Sequence, residues 1–441
     1  MRTLLRNGRI LDPSQELDTV GSLLIENDQV VQMGEVAVPE SQVDEVYDCT
    51  GLWIAPGLVD PHVHLREPGA THKETIVTGT QAAAAGGYTT ICCMPNTNPP
   101  LDNPALVDFI LDRSASPEAG GVFVAPVGAL TKGMQGEVLA DLAAMKRAGI
   151  VAASDEEFPI QNSAVMMRAM EFCVQLDLPI MAHCEDTTLS AGGSMNDGAV
   201  ATMLGLRGIP RSAEEIGIMR NGLLSLHTGC QLHIMRVSTW GAVEMVRQLK
   251  FLGAPVTCEI CPMHFALTED MVGEFDTRFK TTPPLRTQLD IDLLLQGIND
   301  GTIDCIASDH SPHAAHEVDV PFEEAPFGTS QLESAVGVAL TYLTHKGVLS
   351  PLETIRKLST KPAQILRLDS GSLKPGATPV AQVTVIDPNL EWTFDRHKTF
   401  SKSKNTPFHR QKFKGKAMLT FSGGEIYRDA MFGEDRYRIV A

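Results

Sequence analysis

No stretch of this sequence approaches the ~20 apolar residues needed to cross a bilayer, so no membrane span is expected. The opening segment, MRTLLRNGRILDP, is broken by Arg2, Arg6 and Arg9, which excludes the uninterrupted apolar core of a secretory signal. No basic run relieves the net charge of −18, which argues against a nucleic-acid partner. It leaves an anionic small molecule open, because a pocket can be locally positive inside an acidic protein. The nine cysteines show no framework spacing and are odd in number, so reduced thiols and a cytoplasmic location are expected. Cys258 and Cys261 form a single CxxC with no second pair at zinc-ribbon distance, and are read as structural. There is no internal repeat and no low-complexity tract.

What is present is an ordinary globular composition, 43% hydrophobic and 20% charged over 441 residues. That length suits one barrel of roughly 250 to 400 residues with a small appended domain. The first segment, TLLRNGRILDP then GSLLIENDQVVQMG, has β-type apolar stretches around a turn at Glu26-Asn27-Asp28. It is too small to stand alone, and the tail (PVAQVTVIDP, then KAMLTFSGGEIYR) has the same character. Residues 1–54 and 368–441 are therefore expected to form one composite β-sandwich, with residues 55–367 inserted between them.

Inside the insertion, short apolar strands alternate with longer helical segments. The strands are LWIAPGLVDPHVH, GYTTICCMP, GVFVAPVG, GIVAASD, LPIMAHCED, QLHIMRVST, PVTCEICP and DCIASDH. Eight strands in that alternation predict a parallel (β/α)₈ barrel, and several end in a polar or metal-binding residue, where such a barrel carries its active site.

His62 and His64, in VDPHVHLREPG, are two apart and so project from the same strand face. Two neutral imidazoles on one face suit a borderline metal such as zinc. Asp155, His183 and Asp309 end three later strands. Alone, each has a plainer reading, a helix cap or a packed histidine; together they would converge with the histidine pair at the barrel mouth. A zinc there would activate water near neutral pH and polarise a carbonyl.

DPHVHLREPG, MPNTNP, SDEE, MAHCED, PPLR, SDHSPH and PFEEAPFG, in that order, resemble the bacterial dihydroorotase branch of the amidohydrolase superfamily, and SKSKNTPF and KGKAM extend the likeness into the tail. Arg66 and Glu67 after the histidine pair favour that branch over allantoinase and hydantoinase. The resemblance implies reversible ring closure of N-carbamoyl-aspartate to dihydroorotate in pyrimidine synthesis. It implies His62, His64 and Asp309 on one zinc, Asp155 bridging to a second, and His183 on that second ion. Asp309 would also be the general acid/base. Arg66 and Asn96 would grip the substrate carboxylate, with Thr282, His313 and Pro326, Phe327 and Gly328 completing the pocket. A homodimer is the family expectation.

Three positions depart from the pattern. Arg236 stands where the family carries a metal-binding histidine, Met263 replaces the first of two histidines, and Thr282 replaces an asparagine. Arginine has no lone pair to lend a metal, and His233 lies at odd spacing from it, on the opposite strand face. One zinc ion and an incomplete second site are therefore expected, with Arg236 paired to Asp155. Two alternatives follow: a non-catalytic, dihydroorotase-like scaffold for aspartate carbamoyltransferase, or a hydrolase of another cyclic amide of the hydantoinase or allantoinase kind.

Overall fold

The computed structural model describes residues 1–440. The chain opens with β1 (Arg2–Asp12), β2 (Leu17–Glu26), β3 (Gln29–Gly34), β4 (Glu45–Asp48) and β5 (Trp53–Pro56). It then enters the barrel with β6 (Leu58–Val63), β7 (Tyr88–Cys93), β8 (Phe123–Ala129), β9 (Ala152–Ser154) and β10 (Ile180–His183). A two-strand ribbon, β11 (Met195–Asn196) and β12 (Gly208–Ile209), sits in the loop that follows. The barrel continues with β13 (Leu232–Met235), β14 (Val256–Ile260) and β15 (Cys305–Ile306). The tail returns as β16 (Val383–Thr393), β17 (Lys412–Ser422), β18 (Glu425–Arg428) and β19 (Tyr437–Ile439).

The eight barrel strands run parallel in the order β6-β7-β8-β9-β10-β13-β14-β15. A parallel bridge between Val63 and His310 joins the two ends. Asp60 reinforces that seam: one carboxylate oxygen accepts from Ser308 N at 3.1 Å and the other at 3.2 Å. Fully buried there, its carboxyl is pushed up to about 7, the bonds from Ser308 and His62 only partly opposing burial.

Helices cover the barrel because their apolar residues recur at helical spacing. Ser163–Gln175 buries Val165, Met166, Ala169, Met170 and Cys173 and starts at Asn162, whose side chain accepts from Ala164 N. Trp240–Phe251 buries Val243, Val246 and Leu249 behind a Thr239 cap. Each such aliphatic side chain, fully buried, contributes about 1.5–3 kcal/mol. Ile76–Gly86 ends at Gly87, φ 94°, where a Cβ would lie 2.8 Å from that of Ala417 on β17. Only glycine lets the terminal sheet approach the barrel so closely.

The terminal segments do combine, as one nine-stranded sheet that forks. A register shift between Leu5 and Gly8 splits β1: its first half pairs with β4, and through β4 with β19, while its second half pairs with β5, which leads to β16, β17 and β18. The expected sandwich layers are thus branches of one hydrogen-bonded sheet, around Leu5, Ile10, Leu23, Ile54, Val385 and Leu419. Among the described residues no helix is long and apolar enough to cross a membrane.

Candidate active site at the barrel mouth

His62 and His64 leave the end of β6 toward the barrel axis, and each ring is fixed through one nitrogen. Nδ1 of His62 lies 2.7 Å from Oε1 of Glu259 on β14. Nδ1 of His64 donates to Oδ1 of Asn96 at 2.7 Å. Both Nε2 atoms therefore face the site. That of His62 lies 3.0 Å from Oε1 of Glu156, and that of His64 is buried without a hydrogen-bond partner. His62, His64 and Glu156 can offer one ligand atom each, all within 4.8 Å of one another. Asp309 joins them, Oδ1 lying 3.6 Å from His62 Nε2 and 4.0 Å from His64 Nε2.

The carboxylate beside the histidines is that of Glu156, and the expectation for Asp155 is corrected accordingly. Asp155 spends its oxygens on the preceding barrel loop, accepting from Leu130 N and Thr131 N at 2.9 Å each and from the Thr131 hydroxyl. Glu156, one residue on, takes a positive φ of 45° and turns inward. The pairing expected between Arg236 and Asp155 is corrected in the same way. Arg236 Nη2 lies 3.0 Å from Glu156, and Nη1 3.4 Å from Asp309. The first is a contact of charge, since neither Nη2 nor Nε directs a hydrogen at an acceptor. His183 stands outside the donor cluster, its Nε2 3.0 Å from Glu185.

Arg66, Glu156, Arg236 and Asp309 all have φ between 45° and 59°. None is glycine, so each sits in a backbone region sparsely used by L-residues, just beyond a barrel strand. Such strain persists where surrounding structure enforces it, and it is common at functional sites. Here it swings four charged side chains into one place.

The electrostatics follow from burial and neighbours. Burial alone would depress His62, but Glu259 and Glu156 on either side hold it up at about 10. Glu259, flanked by His62 and His233, is drawn down to about 2 despite its burial. Its second oxygen lies 3.0 Å from His233 Nε2, and His233 Nδ1 lies 2.8 Å from the Thr257 hydroxyl. Burial lowers His64 well below the usual imidazole range, leaving its Nε2 lone pair free. Glu156 stays well below the carboxylate range, Arg236 foremost among the charges that outweigh its burial. Asp309 is shifted upward by burial, against the pull of Arg236 and His62.

A cavity of about 450 Å³ borders this cluster, lined by Arg66, Lys73, Glu157, Thr282, His313 and Phe327 among others. Arg66 donates through Nε to Pro312 O at 3.2 Å, while its Nη2 is buried without a partner. His313 Nε2 donates to Phe327 O at 2.8 Å, and burial holds its pKa down at about 3. Pro326 also lines the cavity. Gly328, φ 121°, leaves no room for a side chain, since a Cβ would meet that of Ser311 at 2.6 Å. The tail braces this wall: Ser403 Oγ accepts from His313 N at 3.1 Å, and Asn405 Nδ2 donates to Gly328 O at 2.9 Å.

A parallel eight-stranded barrel with paired histidines and carboxylates at its mouth has the plan of a metal-dependent amidohydrolase. The family model for dihydro-orotase-like proteins matches residues 51–241. A dihydroorotase of Pelotomaculum thermopropionicum is 44% identical over 430 residues, covering 97% of this chain and 98% of that protein. One of Geobacter metallireducens is 44% identical over 426 residues, covering 97% and 99%. The chain belongs to the dihydroorotase family of the cyclic amidohydrolases. Among solved structures it is similar to the L-hydantoinase of Arthrobacter aurescens, TM-score 0.85 at 23% identity, covering 97% of this chain and 96% of that one. The D-hydantoinase of a Thermus species gives 0.83 at 22%, covering 98% and 96%. At those identities the likeness is one of fold.

Proposed function

We propose that this protein is a dihydroorotase that works with one metal ion, Arg236 standing in the place of a second. The observation that carries the reading is the Arg236 guanidinium within 3.0 Å of Glu156 and 3.4 Å of Asp309, beside a complete set of donors for one ion. Those donors fit a divalent metal. His64 Nε2 and Glu156 Oε2 are buried and unpartnered, and each histidine has its far nitrogen bonded, as metal-ligating imidazoles do. His62, His64 and Glu156 would hold the ion with Asp309 beside them, and two imidazoles with carboxylates suit zinc. When bound, the metal supplies Lewis acidity and brings the pKa of a coordinated water close to neutrality.

The chain's own residues account for the rest. Arg66 Nη2, unpartnered at the cavity wall, takes the carboxylate of dihydroorotate or N-carbamoyl-aspartate through a charge-assisted bond. Asn96 orients His64 through Oδ1 and keeps its amide nitrogen for the substrate. In the hydrolytic direction Asp309 removes a proton from the attacking water and passes it to the ring nitrogen as the amide C–N bond breaks. Ring closure is the reverse, Asp309 taking that proton back. A carboxyl raised by burial suits both duties, because the best shuttle has a pKa near working pH.

The test is steady-state turnover of both compounds by zinc-supplemented protein, with Asp309→Asn as the control. Turnover in both directions, reduced about 10²–10⁴-fold by the substitution, is the expected outcome. Folded, metal-loaded protein without turnover of either compound would overturn the reading.

A further inference from the structure

Lys280 is 2% exposed, yet its ammonium meets no carboxylate among the described residues. Nζ donates to Phe322 O at 2.7 Å and Glu323 O at 2.9 Å. It lies over the rings of Phe322 and Phe327, 5.5 and 4.8 Å from their centroids. The Lys280 carbonyl in turn accepts from Gly328 N at 3.0 Å. Burying a charge without a counter-ion costs several kcal/mol, and a packed methionine would fill the same space without that cost. What lysine adds is direction: three donors, and a cation that two aromatic faces attract.

These contacts join the two segments that form one side of the substrate cavity. Thr282, two residues beyond Lys280, lines the cavity, and so does Phe327 at the far end of the clasped loop. Phe327 also accepts from His313 through its carbonyl, so the loop's position fixes that ring as well. Burial pulls the ammonium down to about 8 against the attraction of Glu323, so it keeps its proton at neutral pH. It thereby adds positive charge behind a wall that presents Arg66 and Lys73 together with the carboxyl groups of Glu157 and Glu185.

We propose that Lys280 is a positioning residue for the substrate pocket, a cationic strut that holds the Phe322–Gly328 loop against the Thr281–Thr282 segment and so sets the pocket's fit to an anionic ring. The proposal rests on the dihydroorotase reading only for its choice of substrate.

The experiment compares metal-loaded wild type with Lys280→Met, Lys280→Gln and Lys280→Arg. It reads dihydroorotate kinetics and, separately, amide hydrogen exchange across residues 322–328. In Lys280→Met, KM is expected to rise about 10-fold or more with kcat within about threefold, the signature of lost binding without lost chemistry. Exchange in the loop should rise in the same variant, and Lys280→Arg should restore both. Should methionine prevent folding, Lys280→Gln, which can still donate to one carbonyl, is expected to show the same effects at smaller size. Unchanged exchange in whichever neutral variant folds overturns the strut, even if dihydroorotate is not turned over. Raised exchange with unchanged KM overturns its role in the pocket. A wild type inert toward dihydroorotate overturns the functional reading, while the exchange data still decide the strut.

Discussion

Replacing Arg236 with methionine removes a fully buried cation from two carboxylates and leaves them the His62 ring as the cationic neighbour. At 3.0 Å from Glu156 and 3.4 Å from Asp309, each attraction amounts to roughly 5 kcal/mol at an effective dielectric constant of about 20. Much of that is offset by the cost of burying the charges. Removing one partner of a buried pair destabilises by about 3–5 kcal/mol, because the other charge is left stranded. The lower end applies here, since Nη2 makes no aligned hydrogen bond. The metal-free Arg236→Met protein is therefore expected to be about 3 kcal/mol less stable than metal-free wild type. A divalent cation can take the vacated place, so added zinc should recover most of that loss. Arg236→His, which supplies a neutral donor with a lone pair, should go further and bind about two zinc ions per chain where wild type binds one. Calorimetric unfolding with and without zinc gives the stabilities, and metal analysis after exhaustive dialysis gives the stoichiometry. Two tightly held ions in wild type, or an unchanged metal-free stability in Arg236→Met, would refute the idea that the guanidinium substitutes for a metal.

Arg66→Met removes an unpartnered guanidinium nitrogen from the cavity wall; losing one charge-assisted bond, about 1.5–3 kcal/mol, should raise KM roughly 10–100-fold, read by initial rates. Gly328→Ala should abolish ordinary substrate binding while leaving metal content at one ion, because φ 121° and Ser311 Cβ at 2.6 Å force the pocket wall to move; calorimetric titration with dihydroorotate checks this. Stability should also depend on pH through Glu333, whose carboxyl is raised by burial from 4.5 to about 7 although it accepts from Ser401 and Phe400. Between those values the folded state holds more protons than the unfolded one, so stability falls as pH rises, by about 3 kcal/mol in all. Urea titrations at pH 4.5 and 7.5 should show that fall, and Glu333→Gln should flatten it.

The barrel was readable from sequence because parallel strands buried on both faces leave short, nearly continuous apolar runs, and eight such runs alternate with helical spacing. The pairing of the two terminal segments was readable because neither could bury its apolar face alone. The forked sheet was not, since the fork arises from a bulge in β1 that no residue type announces. At the site, His62 and His64 stood out because period-two spacing puts both imidazoles on one strand face. Glu156 did not, because strand alternation stops at β9 and a positive φ turns the next side chains by an angle that spacing does not encode. Asp155, just ahead of that turn, bonds instead to Leu130 and Thr131. Glu259 left a usable trace, an acid within the buried strand PVTCEICP, where an unpaired charge would be prohibitively costly.

By itself, then, the sequence determined the kind of scaffold and the histidine pair, because these are matters of local periodicity and of side-chain chemistry, and its resemblance to the dihydroorotases marked Arg236 as a cation where a metal ligand was expected. Which carboxylate that cation meets, how Glu259 links His62 to His233, and how Lys280 closes the pocket were decided only by the tertiary structure. Each depends on distances between residues far apart in the chain, and those distances exist only once the barrel has closed.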